Sequence, residues 1–415
     1  MKIIIFLLVL FSLLINLNGC SLVEISEQVR KAEGIGSIKG SVQRTSSQQG
    51  NIIIDLYYLK DKTYIMDSFA RVDQNGEYQF DRLPGTYYLA AYIDNNYDGE
   101  YQEGEHEGIY SFNNGKPAPV IVYSGQTTSL PSFSISENSP QLDSKYTIQY
   151  VKEKGPLNIG QLTRLDSQLF ERNNYSMGMW KPIQFLEQVG AGLFFLEEYQ
   201  VDKIPVLFIH GLNGGPLDWQ QAIDSLDRSH FQPWFVYYPT GLRLNMISNY
   251  FIKAISYLQD KYQFKQLFVV AHSMGGIVAR STVKKYQQHY PELANSIKLL
   301  MTINSPLNGM ASAGLGVANS PLVLPVWHDL APNSKFLTEL NSWLWPEDVA
   351  YYLVFSYLSD TGDDGIVPLA SQIPLEFQES ATRIYGFNTS HSGILKDESF
   401  LRLLNSILEE KRLQE

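Results

Sequence analysis

Cysteine is nearly absent from this chain: its 415 residues hold one, Cys20. That excludes an internal disulfide framework. Histidine is scarce, with seven residues, so any imidazole chemistry has few candidates. An excess of basic charge is missing too. Lys and Arg number 32 against 43 Asp and Glu, a net charge of −11. This argues against nucleic acid as a partner and against holding anionic headgroups by charge alone. What remains is ordinary globular material, 44% hydrophobic, and long enough for two or three domains.

The N-terminus, Met1-Lys-Ile-Ile-Ile-Phe-Leu-Leu-Val-Leu-Phe-Ser-Leu-Leu-Ile-Asn-Leu-Asn-Gly-Cys20, places one positive charge before an apolar run and a small-residue site. That pattern is a secretion signal over residues 1–19 and too short for a spanning helix. Leu17-Asn-Gly-Cys20 resembles a bacterial lipobox. The resemblance implies a diacylglyceryl group on Cys20, an acylated new N-terminus and stable anchoring by two or three chains. Ser21 follows in place of an Asp, which points to the outer membrane of a bacterial envelope. The plain alternative is a cleaved signal with an incidental cysteine. With Cys20 acylated, no thiol nucleophile is left.

Phe268-Val-Val-Ala-His-Ser-Met-Gly-Gly-Ile-Val-Ala-Arg280 reads as a buried strand, a tight turn carrying Ser273 and the start of a helix. A serine nucleophile needs that context, with small flanking residues so that strand and helix approach closely. Ala271, Gly275 and Gly276 fill those places, Ala271 standing where Gly is usual. Earlier, Ile204-Pro-Val-Leu-Phe-Ile-His-Gly-Leu-Asn-Gly-Gly-Pro216 is an apolar strand that ends in a glycine-rich loop. Acyl transfer builds negative charge on a carbonyl oxygen, and fixed N–H donors must meet it. The candidate donors are Met274, next after the serine, and Leu212 on the glycine-rich loop.

In a site of this kind the acid and then the base follow the nucleophile along the chain. His289, His328 and His391 follow Ser273. His289 falls in a helical run some four turns on, and His328 in a segment read as a lid. His391 follows the short strand 383–387 and precedes a helix starting near Lys396, where a loop can bring it onto Ser273. The acid must accept an imidazole N–H. It is sought after the strand 349–357, in Ser359-Asp-Thr-Gly-Asp-Asp-Gly-Ile-Val-Pro368. Asp364 is favoured, placed before a glycine turn and an apolar anchor, and Asp363 is its rival.

Taken together, residues from about 203 to 410 resemble an α/β-hydrolase of the bacterial lipase and GPI-inositol-deacylase-like type. The matching pieces are Val206-Leu-Phe-Ile-His-Gly, Ala271-His-Ser-Met-Gly-Gly, Thr302-Ile-Asn-Ser-Pro, Asp364-Gly-Ile-Val-Pro and His391. Leu307 stands where relatives often carry His. The resemblance implies an α/β fold, a mostly parallel sheet flanked by helices, assigned here to residues 157–415. It also implies a serine hydrolase of carboxylic esters with Ser273, Asp364 and His391 as triad, and no catalytic cofactor. Lipid esters are the preferred substrate class. A short-chain ester, acyl transfer, or an idle hydrolase domain on a surface-binding lipoprotein are the alternatives. Residues 310–345, small and apolar, read as a lid over an acyl pocket or as packed core helices.

Residues 20–35 read as a tether and 139–156 as a linker. Between them, residues 36–138 show short alternating strands with turn residues, the pattern of an all-β sandwich. Gly76-Glu-Tyr-Gln-Phe-Asp-Arg-Leu-Pro-Gly-Thr-Tyr-Tyr-Leu-Ala90 resembles the prealbumin-like, carboxypeptidase-regulatory type of surface domain, which implies a spacer or binding module. Asp94-Asn-Asn-Tyr-Asp-Gly-Glu-Tyr-Gln-Glu-Gly-Glu105 matches a twelve-residue calcium loop. Asp94, Asn96, Asp98, the Glu100 carbonyl and Glu105 supply hard oxygens at the spacing suited to structural Ca²⁺. The alternative is a solvated acidic hairpin.

Overall fold

The computed structural model describes residues 19–112, 115–137, 139 and 157–414. Most of the expected signal segment and of the expected linker lies outside them. The N-terminal region is all β, in two sheets. One is built on β1 (Gly36–Arg44), which pairs antiparallel with β4 (Glu77–Arg82) and parallel with β8 (Thr127–Ser129) and β9 (Phe133–Ile135). The other runs in the order β3 (Thr63–Arg71), β2 (Asn51–Lys60), β5 (Gly85–Asp94), β6 (Glu107–Ile109), with β7 (Val120–Val122) also on β5. Alternate residues of the two sheets meet in one core of Ile38, Val42, Phe80, Ile54, Leu56, Leu89, Ala91 and Ile93. Strand β3 alternates weakly between buried and exposed positions. Its outer residues, Phe69 and Arg71 among them, face the second region and not solvent.

The second region is an eight-stranded sheet in the order β10 (Leu157–Leu162), β11 (Ala191–Phe195), β13 (Phe231–Tyr237), β12 (Ile204–Ile209), β14 (Leu267–His272), β15 (Ile297–Ile303), β16 (Ala350–Tyr357), β17 (Arg383–Asn388). From β13 to β17 neighbours are parallel, while β11 runs antiparallel to β13. The expected fold class is therefore found. The central strands are buried on both faces and read as near-continuous apolar runs. Residues Val206, Phe208, Phe268 and Val270 point to the face covered by the helices 220–225 and 398–414. Leu207, Ile209, Val269 and Ala271 point to the face covered by the helices Leu244–Tyr262 and Met274–His289.

One expectation changes, and one choice between readings is narrowed. The tether is a helix, Gly19–Glu33, docked on the second region. Ile25 and Ala32 are buried, Gln28 Oε1 accepts the Gln184 N–H at 2.8 Å, and Glu24 pairs with Lys181 at 2.5 Å. The spacing of Ile25, Gln28 and Ala32 puts one narrow stripe inward, which a polar composition hides. The segment 310–345 is in part core. It folds as helices Ala311–Asn319, Pro325–Leu330 and Lys335–Asn341. Leu324, Val326, Leu330, Leu337 and Leu340 are buried, and Asp329 accepts the Leu244 N–H at 2.7 Å. The first of these helices keeps an exposed Leu315 and buries little besides Ala313.

The two regions meet over the helices Leu244–Tyr262 and Met274–His289. Arg71 of β3 pairs with Asp260 at 3.0 Å and with Glu292 at 2.8 Å. Asp81 accepts from Asn249 Nδ2 at 2.9 Å, Lys253 donates to the Gln79 carbonyl, and Asp73 meets His289 Nδ1 at 3.0 Å. The β region is thus seated on the two helices that back the sheet.

Candidate active site

Ser273 closes β14 and opens the helix Met274–His289. Its backbone lies at φ 56°, ψ −133°, a region that side chains other than Gly rarely adopt. Close packing holds it there. The Ser273 N–H donates to the Ile303 carbonyl at 2.8 Å. A Cβ on Gly275 would stand 2.5 Å from the His210 carbonyl oxygen and 2.6 Å from that of Ile209. A Cβ on Gly211 would stand 2.6 Å from Ser273 Cβ. The glycine-rich loop and the nucleophile turn therefore touch backbone to backbone, which only glycine permits. This contact brings the Leu212 loop to the serine. Met274 lies in the first turn of its helix, where N–H groups have no carbonyl behind them.

His391 lies beyond the end of β17, on a loop leading to the helix Glu398–Gln414. Its Nε2 is 3.0 Å from Ser273 Oγ, and its Nδ1 is 2.7 Å from Asp364 Oδ2. The Nδ1–H donates to the carboxylate, so Nε2 is left without a proton and faces the Ser273 hydroxyl. Asp364 is fully buried. Its Oδ1 accepts the N–H groups of Ile366 at 2.9 Å and Val367 at 2.7 Å, which keeps the carboxylate oriented. Gly365, at φ 93°, makes the turn that allows this. Asp363 points elsewhere, with its Oδ1 on Thr361 and on the Gly365 N–H.

Three residues that sequence reasoning did not single out hold this arrangement. The backbone carbonyl of His391 accepts from His272 Nε2 and from Asn304 Nδ2, each at 2.9 Å. Its N–H donates to the Asp364 carbonyl at 2.8 Å. Burial, aided by the nearby His391, pushes the His272 pKa down to about 3. The ring is therefore neutral and carries its proton on Nε2. Asn304 sits at φ 50°, fully buried, in the Thr302-Ile-Asn-Ser-Pro segment. The third is His210, stacked on Tyr238 at 4.2 Å and donating through Nδ1 to the Gly211 carbonyl at 3.0 Å. Burial lowers its pKa to about 4. The signals were present: all three lie inside the quoted motifs, His272 beside Ser273 and His210 beside Gly211.

The other candidates lie apart. Cys20 falls in the first turn of the N-terminal helix. His289 faces Asp73 at the contact between the two regions, and His328 lies in the helix Pro325–Leu330. Asp94, Asn96, Asp98, Glu100 and Glu105 form the β5–β6 loop. Among the described residues no helix is long and apolar enough to cross a membrane.

Residues 243–410 match the sequence model of a family described as "Alpha/beta hydrolase of unknown function (DUF915)". Several solved structures are similar. A lipase of Bacillus licheniformis in its mature form is 15% identical, with a TM-score of 0.42, over 52% of this chain and 97% of its own. A gene product of Listeria innocua is 20% identical, with a TM-score of 0.39, over 50% of this chain and 94% of its own. A metagenomic carboxyl esterase is 14% identical, with a TM-score of 0.39, over 52% of this chain and 77% of its own. No curated protein matches the chain. The fold is that of an α/β-hydrolase preceded by an all-β region.

Proposed function

We propose that this chain is a serine hydrolase of carboxylic esters, lipid esters foremost, held at the envelope surface through an acylated Cys20. The observation that carries the reading is the relay Ser273 Oγ, His391 Nε2, His391 Nδ1, Asp364 Oδ2, with links of 3.0 and 2.7 Å. In the mechanism, Ser273 Oγ attacks the ester carbonyl carbon while its proton passes to His391 Nε2. Asp364 stabilises the imidazolium. The Leu212 and Met274 N–H groups meet the negative oxygen, a contribution of about 3–4 kcal/mol for a single well-placed donor. The tetrahedral intermediate collapses, His391 protonates the leaving alkoxide, and an acyl-serine remains. A water molecule, deprotonated by His391, then releases the carboxylic acid. None of these steps calls for a metal or redox cofactor.

The preference for lipid esters is supported by the lipobox-like Leu17-Asn-Gly-Cys20 and by the thinly packed helix Ala311–Asn319 with its exposed Leu315. The test is labelling of the purified chain with a fluorophosphonate probe, followed by hydrolysis of emulsified triglyceride and of a short nitrophenyl ester. Wild type labels, and Ser273→Ala and His391→Ala do not. Faster turnover of the emulsion supports a lipid substrate, and turnover of the short ester alone moves the reading to a soluble-ester esterase. Failure of folded wild type to label, with detergent present, overturns the hydrolase reading. Incorporation of radiolabelled palmitate that is lost in Cys20→Ser tests the anchor.

A further inference from the structure

The β5–β6 loop buries two carboxylates. Asp94, the last residue of β5, is 0% exposed, and Glu105 is 4% exposed. Among the described residues, neither forms an ion pair with Lys, Arg or His. Asp94 Oδ2 accepts the Gly99 N–H at 2.9 Å, while its Oδ1 is shut off from solvent and has no hydrogen-bond partner. Leaving one oxygen of a buried carboxylate unmatched is expensive.

The loop backbone is built around these oxygens. Tyr97 at φ 63° and Gly99 at φ 75° curl the chain so that the Gly99 N–H turns back onto Asp94. Glu105 closes the loop, with Oε1 on the Asn95 N–H at 2.9 Å and Oε2 on the Gln102 N–H at 3.0 Å. Asp98 turns its carboxylate to the Glu100 N–H at 2.8 Å, to Asn96 and to Gln102. As a result, among the described residues no three acidic or imidazole side chains converge on one point. Asn96 and Glu100 are the exposed members of the set, and Asp98 is half-buried. The mutual hydrogen bonds of Asn96 and Asp98 are the ones an ion would displace, whereas Asp94 and Glu105 are already fixed by backbone donors.

The loop is also seated on the second region. A Cβ on Gly99 would stand 2.1 Å from the Tyr257 ring, and Tyr257 Oη donates to the Asp98 carbonyl at 3.5 Å. Tyr257 belongs to the helix Leu244–Tyr262. An ion held at Asp94 and Asp98 would therefore stiffen the contact between the two regions.

We propose that residues 94–105 bind one Ca²⁺ through Asp94, Asn96, Asp98, the Glu100 carbonyl and Glu105, and that this ion braces the β region against the helix Leu244–Tyr262. The all-oxygen donor set, three of its members carboxylates, suits a large hard cation. Mg²⁺ demands a tighter octahedron and keeps its waters.

The test is titration of the chelator-treated full chain, in detergent, with CaCl₂ by isothermal calorimetry, alongside thermal unfolding. The expected result is one site per chain with a dissociation constant of about 10⁻³ M or lower. The melting temperature should rise with Ca²⁺ and stay unchanged with equal Mg²⁺. Asp98→Ala should weaken binding at least tenfold. Glu105→Gln should abolish the Ca²⁺-dependent rise. Tyr257→Ala should keep the calorimetric site and reduce the rise. Absence of heat and of any thermal shift in wild type at millimolar CaCl₂ would overturn the proposal. So would unchanged binding in folded Asp98→Ala, or an equal response to Mg²⁺.

Discussion

Removing the Asn304 amide should slow the chemical step without loosening substrate binding. The His391 carbonyl is held by two buried donors, Asn304 Nδ2 and His272 Nε2, each at 2.9 Å. Asn304→Gly deletes the first of these and adds no backbone strain, because glycine accepts the φ of 50° found there. A lost hydrogen bond of this kind costs about 1–1.5 kcal/mol, and the remaining His272 contact keeps the carbonyl from being orphaned. Stability should fall by about that amount, offset in part because the unmatched Asn304 Oδ1 also disappears. The kinetic effect arises differently. The imidazole must stay within hydrogen-bond reach of Ser273 on one side and Asp364 on the other, and a displacement on the order of 1 Å can cost a hundredfold. With one of two anchors gone, kcat for a short nitrophenyl ester should fall about tenfold, equivalent to roughly 1.4 kcal/mol, with KM little changed. Asn304→Asp should be worse, since it presents an acceptor to the His391 carbonyl. The assay is kcat and KM beside urea unfolding of each variant. Folded Asn304→Gly with kcat within twofold of wild type would refute the claim that the carbonyl anchor positions the base.

Stability should drop in mild acid for a defined reason. His210 and His272 are held neutral, with pKa values lowered by burial to about 4 and about 3, while the unfolded chain protonates them near 6.5. Their contribution is fully present above pH 6.5 and is lost as pH falls toward 4, by about 1.4 kcal/mol per unit for each residue inside that window. Urea midpoints at pH 7.5 and pH 5 measure the slope, and an unchanged slope in folded His210→Gln/His272→Gln would remove the explanation. Gly275→Ala places a methyl 2.5 Å from the His210 carbonyl oxygen. It should cost about 1–3 kcal/mol and cut the fluorophosphonate labelling rate by more than tenfold, whereas wild-type labelling would mean that the turn yields freely. Arg71→Met leaves Asp260, 7% exposed, without its 3.0 Å partner and should destabilise the chain by about 3 kcal/mol. The double variant Arg71→Met/Asp260→Leu should recover most of that, and a strictly additive double variant would show that the pair is not coupled.

Much of the second region and its candidate site was legible because its signals are local. A strand that is buried on both faces is a run of apolar residues, and β12, β14 and β15 are such runs. A nucleophile turn needs small neighbours within two or three positions, and Ala271, Gly275 and Gly276 supply them in sequence. The choice of Asp364 over Asp363 followed from its place before a glycine turn and a buried valine. In the fold, that turn delivers the Ile366 and Val367 N–H groups to Asp364 and leaves Asp363 on the outer side.

The features that escaped the sequence are those in which one segment answers to another far along the chain. The helix Gly19–Glu33 has a polar composition, and its inward stripe acquires meaning only when Gln184 and Lys181 face it. Strand β3 alternates poorly because its outer residues are the surface on which Asp260 and Tyr257 close. Asn304 looks like a loop asparagine until His391, 87 positions on, brings its carbonyl to the amide. The same reasoning explains why the candidate triad could be read without its supports. A nucleophile, acid and base each need a particular residue type at a particular kind of strand end. A donor to a backbone carbonyl can be any buried amide, imidazole or hydroxyl that the fold delivers, so its identity is set by tertiary contact and no spacing rule announces it.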